Sequence, residues 1–160
     1  MAGYGDDGAF TAWLSENGYT LPGSAPAPAI LRLRGSQYID ATYGARFSGT
    51  PTGGIDQPRA WPRTGATAYG NPIGPDGIPG AVVISSYHAA WLEAQSPGSL
   101  SVVATENERL KRMKAGSVEL EYADGSGTAI AGAVPMSSAI EGMLAPLLVS
   151  SRPLPAVLVV

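Results

Sequence analysis

His88 is the single histidine of the chain, and cysteine is absent. Nucleophilic catalysis sets an attacking group beside a base that a third group orients, and a zinc site gathers several His, Cys or carboxylate ligands. His88 stands next to Tyr87 on a stretch of helical periodicity with no partner set of that kind, and reads as a helix-surface or satisfied core residue. Thiolate chemistry and a disulfide framework are excluded by composition. The acidic pairs have ordinary explanations. Asp6 and Asp7 stand where a helix would start, a place that favours negative charge, and Glu119 and Glu121 alternate with apolar residues along a strand-like run. Asp76-Gly77 and Asp124-Gly125 are turn dipeptides rather than pieces of a spaced calcium loop. The glycine-rich stretches around Gly53 and Gly125 have neither GxxxxGK(S/T) nor a strand–GxGxxG–helix context, so phosphate cradling is unsupported. These residues predict no enzyme activity, no cofactor and no metal site.

Arg109, Lys111, Arg112 and Lys114 form the one basic cluster. It can be read as a contact for nucleic acid or for an acidic patch on a partner. The residues favour the plainer reading, a solvated hairpin strand balanced by Glu106, Glu108, Glu119 and Glu121. Single-strand binding also wants aromatic platforms among the charges, and this segment offers Tyr122 alone. The formal net charge of −3 argues against a protein that lives by gripping phosphates.

At 160 residues the chain fits one domain with a modest core. Charged residues make up 14% of it, against about 25% in typical soluble domains. Two readings of that shortage stand side by side: neighbouring subunits cover part of the surface, or glycine and serine in a loop-rich chain replace charges. No apolar run approaches the roughly 20 residues of a membrane helix. MAGYGDDGAF lacks the basic start and apolar stretch of a signal peptide, so synthesis in a cytoplasm and no membrane partner are expected.

Apolar spacing predicts the elements that must position these residues. Asp6 or Asp7 can cap a first helix with Phe10, Trp13 and Leu14 on one face and Gly18 as its stop. After a connector punctuated by Pro22, Pro26 and Pro28, a second helix is expected over about 29–43. Its stripe is Ile30, Leu31, Leu33, Tyr38, Ile39 and Tyr43, with Gly35 as a weak point and Arg32 and Arg34 on the more exposed sides. Residues 44–80 hold nine glycines and six prolines, too many for a long regular element. Within that loop Trp61, held extended before Pro62, is expected to bury its ring and pin the segment to the body. Ile78-Pro79 opens a third helix whose amphipathic face is Val82, Val83, Tyr87, Ala90, Trp91 and Ala94, ending at Ser96-Pro97-Gly98. Val118, Leu120 and Tyr122 alternate with Glu119 and Glu121 and predict a β-hairpin turning at Ala115-Gly116, although 106–114 alone could pass for a helix. Met136, Ile140, Met143, Leu144 and Leu147 predict a last helix, capped by Ser137 or Ser138 and ended by Pro146. An apolar, extended tail follows.

Several segments in this order carry a resemblance: YIDATYG (Tyr38–Gly44), AWPRTG (Ala60–Gly65), Ile78-Pro79, ERLKRMKAGSVELEYADG (Glu108–Gly125) and MLAPLL (Met143–Leu148). The chain resembles phage head–tail connector proteins of the small helical adaptor type, whose relatives often carry the label DnaT-like single-stranded-DNA-binding protein. The resemblance covers roughly residues 6–148. The first connector is richer in proline and alanine than the pattern, Gly35 interrupts the second helix, and 149–160 has no counterpart. What the resemblance implies is a mainly α fold: a small bundle of about four helices, with a protruding β-hairpin at about 105–123. The long Gly/Pro-rich loop belongs to that domain (1–148), and an extended apolar C-terminal tail (149–160) follows it. It also implies a homo-oligomeric ring of commonly about twelve copies in the virion neck. The expected partners are the portal protein and the next neck or tail protein, and duplex DNA would pass through the channel without sequence-specific binding. In that setting Arg109, Lys111, Arg112, Lys114, Glu119, Glu121 and Tyr122 are expected contact residues. So are Leu154, Val157, Leu158, Val159 and Val160, which would lie in a groove or add a strand to a neighbouring chain. Trp61, Pro62, Tyr87 and Trp91 are expected core anchors. The alternatives are a single-stranded-DNA-binding accessory protein and a neck or tail-completion protein of another kind.

Overall fold

The structure is a computed structural model that describes residues 2–101 and 137–149. Four α-helices form among the described residues. α1 (Asp7–Glu16) starts where Asp6 Oδ1 accepts a 2.8 Å hydrogen bond from the Ala9 amide, as an N-cap should. It ends where Gly18 takes a φ of +67°, which lets the Tyr19 amide reach back to the Leu14 carbonyl at 2.8 Å. α2 (Pro28–Tyr43) opens on proline, whose ring presets φ and whose missing N–H costs nothing in the first turn. α3 (Gly80–Gln95) follows Pro79. α4 (Ser138–Leu144) tightens into a 3-10 turn over Ala145–Leu147, where Pro146 removes a donor from the helical ladder. The mainly α expectation holds, with each helix near its expected place.

The 44–79 segment has no long element. It folds as two small antiparallel pairs, β1 (Thr50–Pro51) with β2 (Arg63–Thr64) and β3 (Thr67–Ala68) with β4 (Asn71–Pro72). The second pair turns on Tyr69 and Gly70, both at positive φ, as a two-residue hairpin loop requires. Trp61, joined to Pro62 by a cis bond, is 1% exposed, and its ring meets Phe47 edge-on at 5.5 Å. It pins the loop as its sequence context suggests. Phe47 also bridges to Leu148, and the Val149 amide donates to the Arg46 carbonyl at 2.8 Å, so the chain after α4 closes onto the same loop.

The main packing is α2 against α3, with α1 and α4 adding to the pair. At the crossing of α2 and α3, a Cβ on Gly35 would lie 2.2 Å from the Ser86 carbonyl oxygen. The residue that weakens the stripe in one dimension is the one that lets the two backbones meet. Two apolar clusters result. One joins Tyr38, Ile39 and Tyr43 to Trp61, Val82 and Leu144, and the other joins Phe10, Leu14 and Leu31 to Tyr87, Ala90 and Ala94.

Three expectations change. Arg32 is 7% exposed, not surface-facing, because its guanidinium finds a ring of backbone carbonyls. Ile30 is 46% exposed, because the buried face of α2 runs through Leu31, Gly35, Ile39 and Tyr43 instead. α3 buries Ser85, Ser86, Ala89 and Glu93 besides its expected face, since it is packed from several sides rather than one. The hairpin over 105–123, with Asp124-Gly125 and Met136, and the tail from residue 150 onward lie outside the described residues.

Candidate functional site

The first residues of the chain cross α2 and are held there by side chains. Arg32 Nε pairs with Asp7 Oδ1 at 2.7 Å, while Nη1 donates to the Tyr4 and Gly5 carbonyls at 2.9 and 2.6 Å. The Tyr4 amide donates to Ser36 Oγ at 2.8 Å, and Ser36 in turn donates to the Arg32 carbonyl. The Tyr4 hydroxyl donates to Asp40 and accepts from the Trp61 amide at 3.2 Å. Burial, followed by the bond to Asp40, raises its pKa far above the ordinary tyrosine value. Arg59 completes the strap by pairing with Asp40 at 3.1 Å and donating to the Ala2 carbonyl at 3.1 Å.

The other cations are also bonded within the body, with Arg34 and Arg46 nearer its surface. Arg63 is buried and donates to the Ser48 and Gly49 carbonyls at 2.8 and 2.6 Å; burial draws its pKa below the ordinary value. Arg46 grips Glu141 through two bonds of 2.6 and 3.2 Å, which hold that carboxyl below its usual range. Arg34 pairs with Glu93 at 3.1 Å. The described residues contain no lysine, so Arg32, Arg34, Arg46, Arg59 and Arg63 are all their basic side chains. Each is bonded inside the molecule. Against them stand eight carboxylates: Asp6, Asp7, Glu16, Asp40, Asp56, Asp76, Glu93 and Glu141.

His88 is half-buried among Trp91, Trp13 and Tyr19, with ring centroids 5.7, 6.1 and 6.3 Å away. Burial lowers its pKa. Tyr19 stacks on Trp91 at 4.2 Å. Tyr87 is buried with its hydroxyl at the start of α1, so the expected anchors Trp61 and Tyr87 are core residues, while Pro62 and Trp91 are half-buried. Among the described residues no group of three or more His, Cys, Asp or Glu could hold a metal ion.

Among its exposed polar side chains the body also offers large apolar ones to solvent. Ile55, at the tip between Gly53-Gly54 and Asp56, is fully exposed, and Tyr69 on the β3–β4 turn is 83% exposed. Beneath Tyr69 an open groove of about 320 Å³ runs between the β3–β4 hairpin, the start of α3 and α4 with its turn. Ala68, Ile73, Ile78, Met143 and Leu147 line it, and no charged side chain does. Sequence reasoning missed this surface. Ile55 carried a local signal, an isoleucine flanked by Gly-Gly and Asp where nothing periodic could bury it. The groove carried none, because its walls come from segments about 70 residues apart. The expected contact residues Arg109, Lys111, Arg112, Lys114, Glu119, Glu121, Tyr122, Leu154, Val157, Leu158, Val159 and Val160 all lie outside the described residues.

A family model described as "Putative DnaT-like ssDNA binding protein" matches residues 4–159. The chain belongs to this DnaT-like family. No curated protein and no solved structure matches it. The family match runs 11 residues beyond Leu148, where the motif resemblance stopped, so most of the apolar segment after Val149 falls inside the family region rather than outside it.

Proposed function

We propose that this member of the DnaT-like family is a non-enzymatic structural protein, a head–tail adaptor subunit that binds a portal on one side and a neck or tail protein on the other. The observation that carries this reading is the fate of the cations. All five arginines of the described body are tied to its own carboxylates and carbonyls, while Ile55 and Tyr69 are offered to water. Such a body meets other proteins through apolar contacts and presents a net negative, phosphate-indifferent surface to DNA passing by. The motif order from YIDATYG to MLAPLL supports the same reading. Peptide mass spectrometry of nuclease-treated virions, with the portal protein as internal standard, tests it. A ratio near one copy per portal subunit is the expected result; absence from virions with abundance in infected cells removes it.

The second reading is the one in the family description, single-stranded-DNA binding. Two things favour it: that description, and the cluster Arg109, Lys111, Arg112 and Lys114, the cations outside the described body that stand together. Oligonucleotide binding measured against salt separates the two readings.

A further inference from the structure

We propose that the apolar segment after Val149, residues 154–160, folds back and fills the groove beneath Tyr69 in its own chain. This goes beyond both readings of function and rests on neither. Val149 is the last described residue, 58% exposed, and its amide is fixed to Arg46. Leu147, two residues earlier, is part of the groove wall, together with Met143 and Pro146. Val149 is thus two residues along the chain from the groove wall. From Val149 to Leu154 an extended chain spans up to about 17 Å, and a connection this short keeps the segment at a high effective concentration beside the groove.

The chemistry of the two surfaces matches. Beyond Arg152 the segment reads PLPAVLVV, without a charge or a hydrogen-bonding side chain. The groove likewise has no charged lining, and Tyr69 and Ile78 stand at its edges, 83% and 43% exposed. Leaving both in water would keep two apolar surfaces exposed within reach of each other. Pro153 and Pro155 cannot donate to a strand ladder, which favours side-chain seating in a groove over addition to a sheet edge at that point. The family match extends through residue 159 and so covers all of the segment but Val160.

The absence of cysteine makes the test direct. Full-length variants carry Ile78→Cys with Val157→Cys, Leu158→Cys or Val159→Cys, and are oxidised at low protein concentration. Control pairs place the groove-side cysteine at Ser24, in the connector between α1 and α2. Tethered partners are expected to form an intramolecular disulfide about tenfold faster than the control in at least one pair. In parallel, full-length Leu158→Asp is compared with the parent by hydrogen exchange. Peptides over 67–81 are expected to lose protection while α1 and α2 keep theirs. Cross-linking at the control rate in all three pairs, with unchanged exchange over 67–81, overturns the proposal. Cross-links that are intermolecular and rise with concentration overturn it too, and give the groove to a second copy.

Discussion

Arg32 bonds to a carboxylate and to several main-chain carbonyls at once, in a site from which water is nearly excluded. Removing it leaves buried acceptors unpaired, so Arg32→Met is expected to lower unfolding stability by about 3 kcal/mol. Arg46 and Glu141 are each 34% exposed, so Arg46→Ala should cost about 1 kcal/mol or less. Urea titration of the two variants checks the contrast. His88 gives a pH test. Burial holds its pKa below the ordinary value near 6.5, so the unfolded chain binds the proton more readily than the folded one. The stability that a neutral His88 gives is whole above about pH 6.5. It is lost as pH falls toward the folded-state pKa, and levels off below that. Urea midpoints at pH 7 and pH 5 should differ more for the parent than for His88→Gln; an equal difference would remove the role. Neither site could be placed from sequence. Helical spacing put Arg32 near the surface because periodicity counts neighbours along one helix, and the carbonyls that hold it come from residues almost thirty positions earlier.

At the scale of elements, Gly35 decides how closely α2 and α3 approach. Gly35→Ala would gain helix propensity, about 1 kcal/mol in isolation. In this fold the new methyl meets the Ser86 carbonyl and the Ala90 amide, at 2.2 and 2.8 Å. Clash should outweigh propensity, with a net loss of about 2 kcal/mol or more and a Tm lower by several degrees. A variant as stable as the parent would mean that the helices separate at little cost. The helices themselves were legible, because Asp6, Gly18, Pro28, Pro79 and Pro146 mark their ends with local chemistry. The pinning role of Trp61 was legible too, since a large ring in a loop of glycines and prolines needs a place to bury. The pairing of β1 with β2 was not, because strands of two residues carry no periodicity. Nor was the burial of polar residues on α3, which depends on how many elements pack around it.

Taken as a whole, the described body ties its arginines into its own fold. Five arginines and eight carboxylates make the described body acidic, and the arginines are spent on internal bonds. On the single-strand reading, the cluster at 109–114 is the basic group that would hold the DNA. If all four of its cations gripped phosphates, log K should fall against log salt with a slope near −3. The adaptor reading expects no such binding at physiological salt, and no change when Arg109, Lys111, Arg112 and Lys114 are all replaced by alanine. Fluorescence anisotropy with a labelled oligonucleotide distinguishes these outcomes. The exposed apolar surface and the commitment of every described arginine could be seen only in three dimensions, because both depend on which partners the fold supplies. The order in which the chain is made adds a further consequence. A stretch in its first half holds two distant segments: Arg59 fastens Ala2, and Arg46 fastens Glu141, 95 residues further on. At about 5–20 residues per second, a ribosome needs roughly 5 to 20 seconds to cover that interval. Through those seconds the nascent chain carries the faces that α4 will cover still open to its neighbours, and the risk of misassembly is greatest then rather than in the finished protein.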